Sequence, residues 1–358
     1  MNTAVSTPKA EATSTEPPLL EVRDLVTHYP LRRSLGAALQ RQPRRWAHAV
    51  DGVSFELRGG QMLALVGESG CGKTTTAQSL LRMVEPTSGT IRLDGRDITH
   101  LGQRRLRPLR RTMQMVYQDP YESLDPRFRA RQTVEEPMLV HGIGSGRARR
   151  RAMVNELLER VGLSPPDLYA DRYPHQMSGG QRQRLAIAAS LVVSPRLLIT
   201  DEPVSMLDVS VRAGVLELLD GLRRDATMGV LMITHDLSTA AHFADEIAVM
   251  YFGRIVERGP AHEVVRNPRH PYTQALLSVV PARDPRRRRA PQILEGEAPD
   301  SAAVPTGCRF ASRCPLVTDA CREQDPTLDP VAGAPGHQVA CIRADTLSSA
   351  ELPEVVSK

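Results

Sequence analysis

The chain has 358 residues, 41% of them apolar and 24% charged, which excludes a largely unfolded polymer and leaves room for two domains or one large domain with an appendage. Its net charge of +5 is carried almost wholly by arginine, since Lys9, Lys73 and Lys358 are the only lysines, and is too small to select nucleic acid or a membrane surface. No apolar run approaches the ~18–20 residues of a bilayer span, no signal-peptide core is visible, and five cysteines are read as those of a cytosolic protein rather than a disulfide framework.

Residues 1–18, rich in Thr, Ser, Glu and Pro, are expected to form a disordered tail. Leu20–Tyr29 reads as a strand and Pro30–His48 as an arginine-rich loop. Val53–Leu57 and Met62–Val66 read as strands joined at Gly59-Gly60. A helix is expected from Lys73 to about Met83, then a strand over Thr90–Leu93 ended by Asp94-Gly95, and a short strand over Met113–Tyr117. Residues 119–178 show helical spacing, as in Met153, Leu157, Leu158 and Val161, and predict a helical subdomain inserted into the sheet. A helix is expected over Gln181–Ser194 and another over Val209–Arg224. The near-continuous apolar runs Leu197–Thr200 and Val230–Thr234 read as buried parallel strands. The expected fold class is therefore α/β. A nucleotide-binding domain would fill residues 19–265, followed by a small irregular extension over 266–358 that holds four of the cysteines. Arg286–Arg289 in that extension reads as a solvated linker.

Gly67-Glu68-Ser69-Gly70-Cys71-Gly72-Lys73-Thr74 joins a strand to a helix with the spacing of a phosphate-binding loop. Gly67, Gly70 and Gly72 let backbone N–H groups, including those of Ser69, Cys71 and Thr75, turn toward phosphate oxygens at a helix N-terminus. Lys73 suits the β- and γ-phosphates, and Thr74 offers a hydroxyl to Mg²⁺. Asp201 closes the Leu197–Thr200 strand, where it can hold Mg²⁺ through water. Glu202, one residue on, is the candidate for polarising the attacking water. Tyr29 and Trp46 both compete to stack on adenine, and Tyr29 fits the strand-end position better. ATP with Mg²⁺ is the expected ligand.

Ser178-Gly179-Gly180-Gln181, placed just ahead of a strand ending in Asp201-Glu202, resembles the signature of ABC-type ATPases. The ATP-binding subunits of bacterial oligopeptide/dipeptide permeases are similar from about Leu19 to about Ile342, with the F-type subunit the nearest match. Besides the phosphate loop, the likeness rests on Ala49–Phe55, Tyr117-Gln118-Asp119-Pro120, Ser123–Arg127, Arg172–Gln176, Asn267–Tyr272, Gly307–Phe310 and Arg313-Cys314-Pro315. It implies a P-loop ABC-type nucleotide-binding domain in which two ATPase subunits close around two ATP molecules. Ser178, Gly179, Gly180 and Gln181 would complete the facing subunit's nucleotide site, and Asp208 of Ser205-Met206-Leu207-Asp208 would lie at the dimer interface. His235 would contact the γ-phosphate, and Gln118 would link Mg²⁺ and water to the transport domains. Met177 and Met206 stand where the family has leucine and alanine; neither change removes a chemical group.

The partners so implied are two transmembrane permease subunits, a second ATPase subunit (a paralogue, giving a heterodimer, or a second copy of this chain) and an extracytoplasmic substrate-binding protein. No nucleic acid is expected, and the place of action would be the cytoplasmic face of the membrane. The implied function is ATP hydrolysis that powers import of oligopeptides or dipeptides. The alternatives are an importer of nickel or another small solute, and a soluble ABC ATPase acting on DNA or ribosomes. The last is disfavoured by the single cassette and the absence of sustained heptads. Cys308, Cys314, Cys321 and Cys341 could hold Zn²⁺ or an iron–sulfur cluster or remain free thiols. The resemblance implies a [4Fe–4S] cluster on all four.

Overall fold

The structure, a computed structural model, describes residues 17–31, 44–280 and 300–344. The expected tail is almost wholly outside these residues, and the Arg286–Arg289 run entirely so. From the N-terminus, β1 (Leu20–Pro30), β2 (Trp46–Leu57) and β3 (Met62–Val66) lead into helix α1 (Lys73–Leu80). β4 (Ser88–Leu93), β5 (Arg96–Asp97), α2 (Gln103–Leu109) and β6 (Met113–Val116) follow. Next come α3 (Pro120–Ser123), α4 (Ala130–His141), α5 (Arg147–Arg160) and α6 (Gly179–Leu191). β7 (Leu197–Asp201), α7 (Val209–Ala226), β8 (Gly229–Thr234), α8 (Leu237–Phe243), β9 (Glu246–Tyr251) and β10 (Arg254–Pro260) complete the central part. Beyond it lie α9 (Ala261–Arg266), α10 (Pro271–Ser278), α11 (Asp319–Glu323), β11 (Asp329–Pro330) and β12 (Gln338–Val339).

The strands form two sheets. One is antiparallel, in the order β2-β1-β4-β5; the other has eight strands, in the order β11-β12-β10-β9-β3-β8-β7-β6. Within the larger sheet β9, β3, β8, β7 and β6 are parallel, and β10 and β12 add antiparallel at one side. The alternation of side chains along β3 divides the interior in two. Met62, Ala64 and Val66 face the cluster shared with the helices, whereas Leu63 and Leu65 face the antiparallel sheet. Both faces are thus covered, which is why β3, β7 and β8 read as unbroken apolar runs. Burying each such leucine or valine contributes roughly 1.5–3 kcal/mol. Four-residue spacing sets the helical insertion: Ala130, Val134 and Met138 are the buried positions of α4, and Val154 and Leu158 those of α5.

Several elements differ from expectation for local reasons. β2 begins at Trp46, seven residues before Val53, because its N-terminal half gains its order by pairing with β1 despite register shifts. α1 stops at Leu80, since Arg82 adopts a left-handed conformation (φ 53°). α6 begins at Gly179 because Ser178 caps it: Gln181 N–H donates to Ser178 Oγ at 3.3 Å, and Ser178 N–H to Gln181 Oε1 at 3.0 Å. The extension joins the central sheet, where its β12 pairs with β10.

Candidate nucleotide site

The parallel strands β6, β7, β8 and β3 are neighbours, and each delivers one part of the site just past its C-terminal end. β6 leads to Gln118, β7 to Asp201 and Glu202, β8 to His235, and β3 to the phosphate loop. These parts meet in an open cleft lined by Gly67–Gly70, Gly72–Thr75, Gln118, Glu202 and His235.

The glycines of the loop are there for space and backbone sign. A Cβ on Gly67 would fall 2.2 Å from the Met250 carbonyl oxygen, and one on Gly72, whose φ is 111°, 2.1 Å from that of Ala49. Lys73, 5% exposed, donates from Nζ to the carbonyls of Gly67 (2.7 Å) and Glu68 (2.8 Å), so the loop presents a pre-folded cation. Cys71 is buried, and burial pushes its thiol pKa up, which makes it an inert filler beneath the loop.

Asp201 is 5% exposed, and burial raises its pKa; the Thr74 hydroxyl donates to it and Lys73 stands near, both acting in the opposite sense. A buried carboxylate joined to a threonine hydroxyl is an oxygen donor set suited to Mg²⁺. Glu202 is held from two sides: Gln118 Nε2 donates to Oε2 at 3.1 Å, and His235 Nδ1 lies 3.1 Å from Oε1. Its backbone is left-handed (φ 44°), a conformation that costs a non-glycine residue roughly 1–2 kcal/mol. That strain turns the side chain out of the strand alternation and into the cleft.

Ser178–Gln181 are not among the residues lining this cleft. Gly179 packs against Leu207 and Gly180 against Val211, where a Cβ would meet Val211 Cγ1 at 2.4 Å, so the signature turn is seated on the segment that contains Asp208. From the same helix Arg182 lies over the Tyr121 ring at 3.8 Å, tying α6 to the Gln118–Tyr121 turn. Tyr29 and Trp46 sit on the paired ends of β1 and β2 (Tyr29 opposite Ala47, Pro30 opposite Trp46), and neither lines the cleft. Trp46 is 43% exposed and lies under Arg44 at 5.6 Å.

Sequence reasoning missed the part the extension plays. Glu68 N–H donates to Tyr272 Oη at 2.8 Å, Arg313 grips the Glu68 carboxylate, and Leu276 and Val279 of the α10 segment line the cleft. Tyr272, Phe310 and Tyr251 form an aromatic group beneath the loop, with Tyr251 and Phe310 edge-on at 5.1 Å. Nothing local in the sequence marks these contacts. On the other side of Phe310, Cys308, Cys314, Cys321 and Cys341 face one small apolar pocket as free thiols. Burial pushes Cys308 up to about 11, with the three neighbouring cysteines adding to the rise, and also raises Cys314 and Cys341. Among the described residues no three of these sulfurs lie within 4.8 Å of one another.

Residues 50–205 match the ABC transporter family, and residues 256–321 match the oligopeptide/dipeptide transporter C-terminal region. The chain is 45% identical over 326 residues to the oligopeptide transport ATP-binding protein AppF of Bacillus subtilis, covering 90% of this chain and 96% of that protein. The chain belongs to the ATP-binding subunits of oligopeptide/dipeptide ABC transporters. The di/tripeptide transport ATP-binding protein DppF of Pseudomonas aeruginosa is 43% identical over 329 residues, covering 91% of this chain and 98% of that one. Among solved structures, the dimeric post-hydrolysis state of the ATP-binding cassette MJ0796, bound to ADP and Pi, superposes with a TM-score of 0.59 at 25% identity. It covers 68% of this chain and 98% of that one. An ABC subunit of this kind is an ATPase. No helix among the described residues is long and apolar enough to cross a membrane.

Proposed function

We propose that this subunit hydrolyses ATP to power peptide import. The observation that carries the reading is the Glu202 carboxylate clasped by Gln118 and His235 at the mouth of the phosphate-loop cleft. It stands in a chain whose extension matches the C-terminal region of peptide transporters. Lys73 exchanges its two loop carbonyls for the β- and γ-phosphates of ATP. Glu202 accepts a hydrogen bond from the attacking water and draws its proton away, while Gln118 and His235 hold the carboxylate in line. Thr74, Asp201 and Gln118 would hold Mg²⁺, which would supply neutralisation of phosphate charge. Tyr29 stacks on the adenine, and Ser178–Gln181 with Asp208 close the nucleotide site of a facing ATPase subunit, a paralogue.

Gln118 and the helical insertion receive the permease subunits on the cytoplasmic face of the membrane, and the Arg182–Tyr121 contact passes their movement to the signature helix. An extracytoplasmic binding protein delivers the peptide. The four cysteines fit a [4Fe–4S] cluster, which would staple the extension beneath the phosphate loop.

The test is reconstitution of the complete complex in proteoliposomes. Oligopeptide- or dipeptide-loaded binding protein should stimulate ATP turnover and drive labelled peptide into the lumen. Stimulation by nickel or another small solute, with none by peptide, would overturn the cargo assignment.

A further inference from the structure

A cluster of ligating side chains lies apart from both the nucleotide cleft and the cysteine pocket. His28 on β1 stands directly opposite His48 on β2, and the two rings approach to 3.9 Å between centroids. Asp51, three residues beyond His48, directs its carboxylate between them. Oδ1 is 3.4 Å from His28 Nε2, and Oδ2 is 3.4 Å from His48 Nδ1. These two ring nitrogens are closed off from solvent and make no hydrogen bond of ordinary geometry. An orphaned buried polar atom costs about 1–3 kcal/mol, and here two of them point at the same carboxylate.

We infer that His28, His48 and Asp51 form a binding site for a divalent transition-metal ion of the zinc class. Two imidazole nitrogens and a carboxylate oxygen, all within 4.8 Å of one another, are the donor types that such borderline ions prefer. Zn–N bonds of ~2.0–2.1 Å would bring the nitrogens to roughly 3.4 Å apart, a movement within reach of side-chain rotation. Arg309 supplies an outer shell: it pairs with Asp51 while its Nη1 donates to the Phe252 carbonyl at 2.8 Å, fixing the carboxylate. Its positive charge lowers the affinity for a further cation, and the shared carboxylate offsets part of that cost. The three ligands leave one tetrahedral position for water.

The location gives the ion a structural task. It would pin β1 to β2 one residue before the paired ends that carry Tyr29 and Trp46. It would also hold the strand whose Ala49 carbonyl packs on Gly72 of the phosphate loop. This inference stands independently of the peptide cargo and of the cysteine pocket.

The experiment is Co²⁺ titration of the full-length, chelator-stripped, nucleotide-free chain, followed by absorption spectroscopy, with Zn²⁺ tested in thermal melts. The wild-type chain should take up one equivalent with visible ligand-field bands of nitrogen and oxygen ligation, separable from the near-ultraviolet charge-transfer band that thiolates produce. His28→Gln and His48→Gln should each weaken that binding by at least about 100-fold, the upper end of what losing even an outer-shell partner costs. His235→Gln should leave it intact. Zn²⁺ should raise the melting temperature of the wild type more than that of either histidine variant, whose metal-free melts report their folding. A wild type that shows only thiolate-type bands would overturn the assignment. So would nitrogen/oxygen-type bands that survive in both histidine variants or vanish in His235→Gln.

Discussion

Arg313 in the extension holds Glu68 in the phosphate loop through two contacts, Nη1 to Oε2 at 2.7 Å and Nη2 to Oε1 at 3.3 Å. Glu68 Oε atoms accept both, and its backbone N–H is taken by Tyr272. The loop that must present its N–H groups to phosphate is therefore braced by a segment more than two hundred residues away. Arg313→Ala should weaken ATP binding by about 5–30-fold, the effect of losing one charged hydrogen-bonding pair that is partly screened by solvent. Titration of the purified chain with a fluorescent ATP analogue measures this. An unchanged affinity would show that the brace does not shape the loop.

Asp201 carries a carboxylate that burial makes costly. Its folded-state pKa lies above the unfolded value of ~3.9, so the chain is favoured below the unfolded value and loses that stability as pH rises through the folded one. At neutral pH the charge is therefore a burden borne for function. Asp201→Asn should raise the melting temperature in the absence of Mg²⁺ by about 1–2 °C for each ~1 kcal/mol relieved, and should abolish Mg²⁺-dependent turnover. The stabilisation should vanish when both proteins are melted at acid pH. A lower melting temperature for the variant at neutral pH would contradict this reading.

Ser178 caps its own helix yet lies outside the cleft of its own subunit. Ser178→Arg should leave ATP affinity of the isolated chain within about twofold, and should lower turnover of the assembled transporter by more than about tenfold, in line with the loss of a preorganised donor. Equal loss in both measurements would place the serine in the subunit's own site.

The proposed [4Fe–4S] cluster would make the protein brown when the chain is purified anaerobically, with iron and sulfide in about equal amounts. Cys321→Ser should bleach it and lower the melting temperature. A colourless preparation containing zinc alone would assign the thiols differently.

How much was legible in the sequence follows from how local each feature is. The phosphate loop and the Asp201-Glu202 pair sit at ends of apolar strands, so the periodicity that located the strands also located the chemistry. Gln118 and His235 are single polar residues after short strands, and only the family resemblance gave them roles; the structure brings both to Glu202. The N-terminal half of β2 was missed because its order comes from β1, across a stretch of non-repeating pattern. The contacts of Tyr272 and Arg313 with Glu68 were invisible because they join residues 204 and 245 positions apart. For the same reason the His28–His48–Asp51 cluster appears only when two strands pair.

Polarisation of the attacking water by Glu202 is tested by comparing ATP affinity and turnover of Glu202→Gln with wild type in the reconstituted transporter. Affinity should be unchanged and turnover lowered by about 10²–10⁴-fold, the usual worth of a general base. Turnover within about threefold of wild type, at the same affinity, would contradict it.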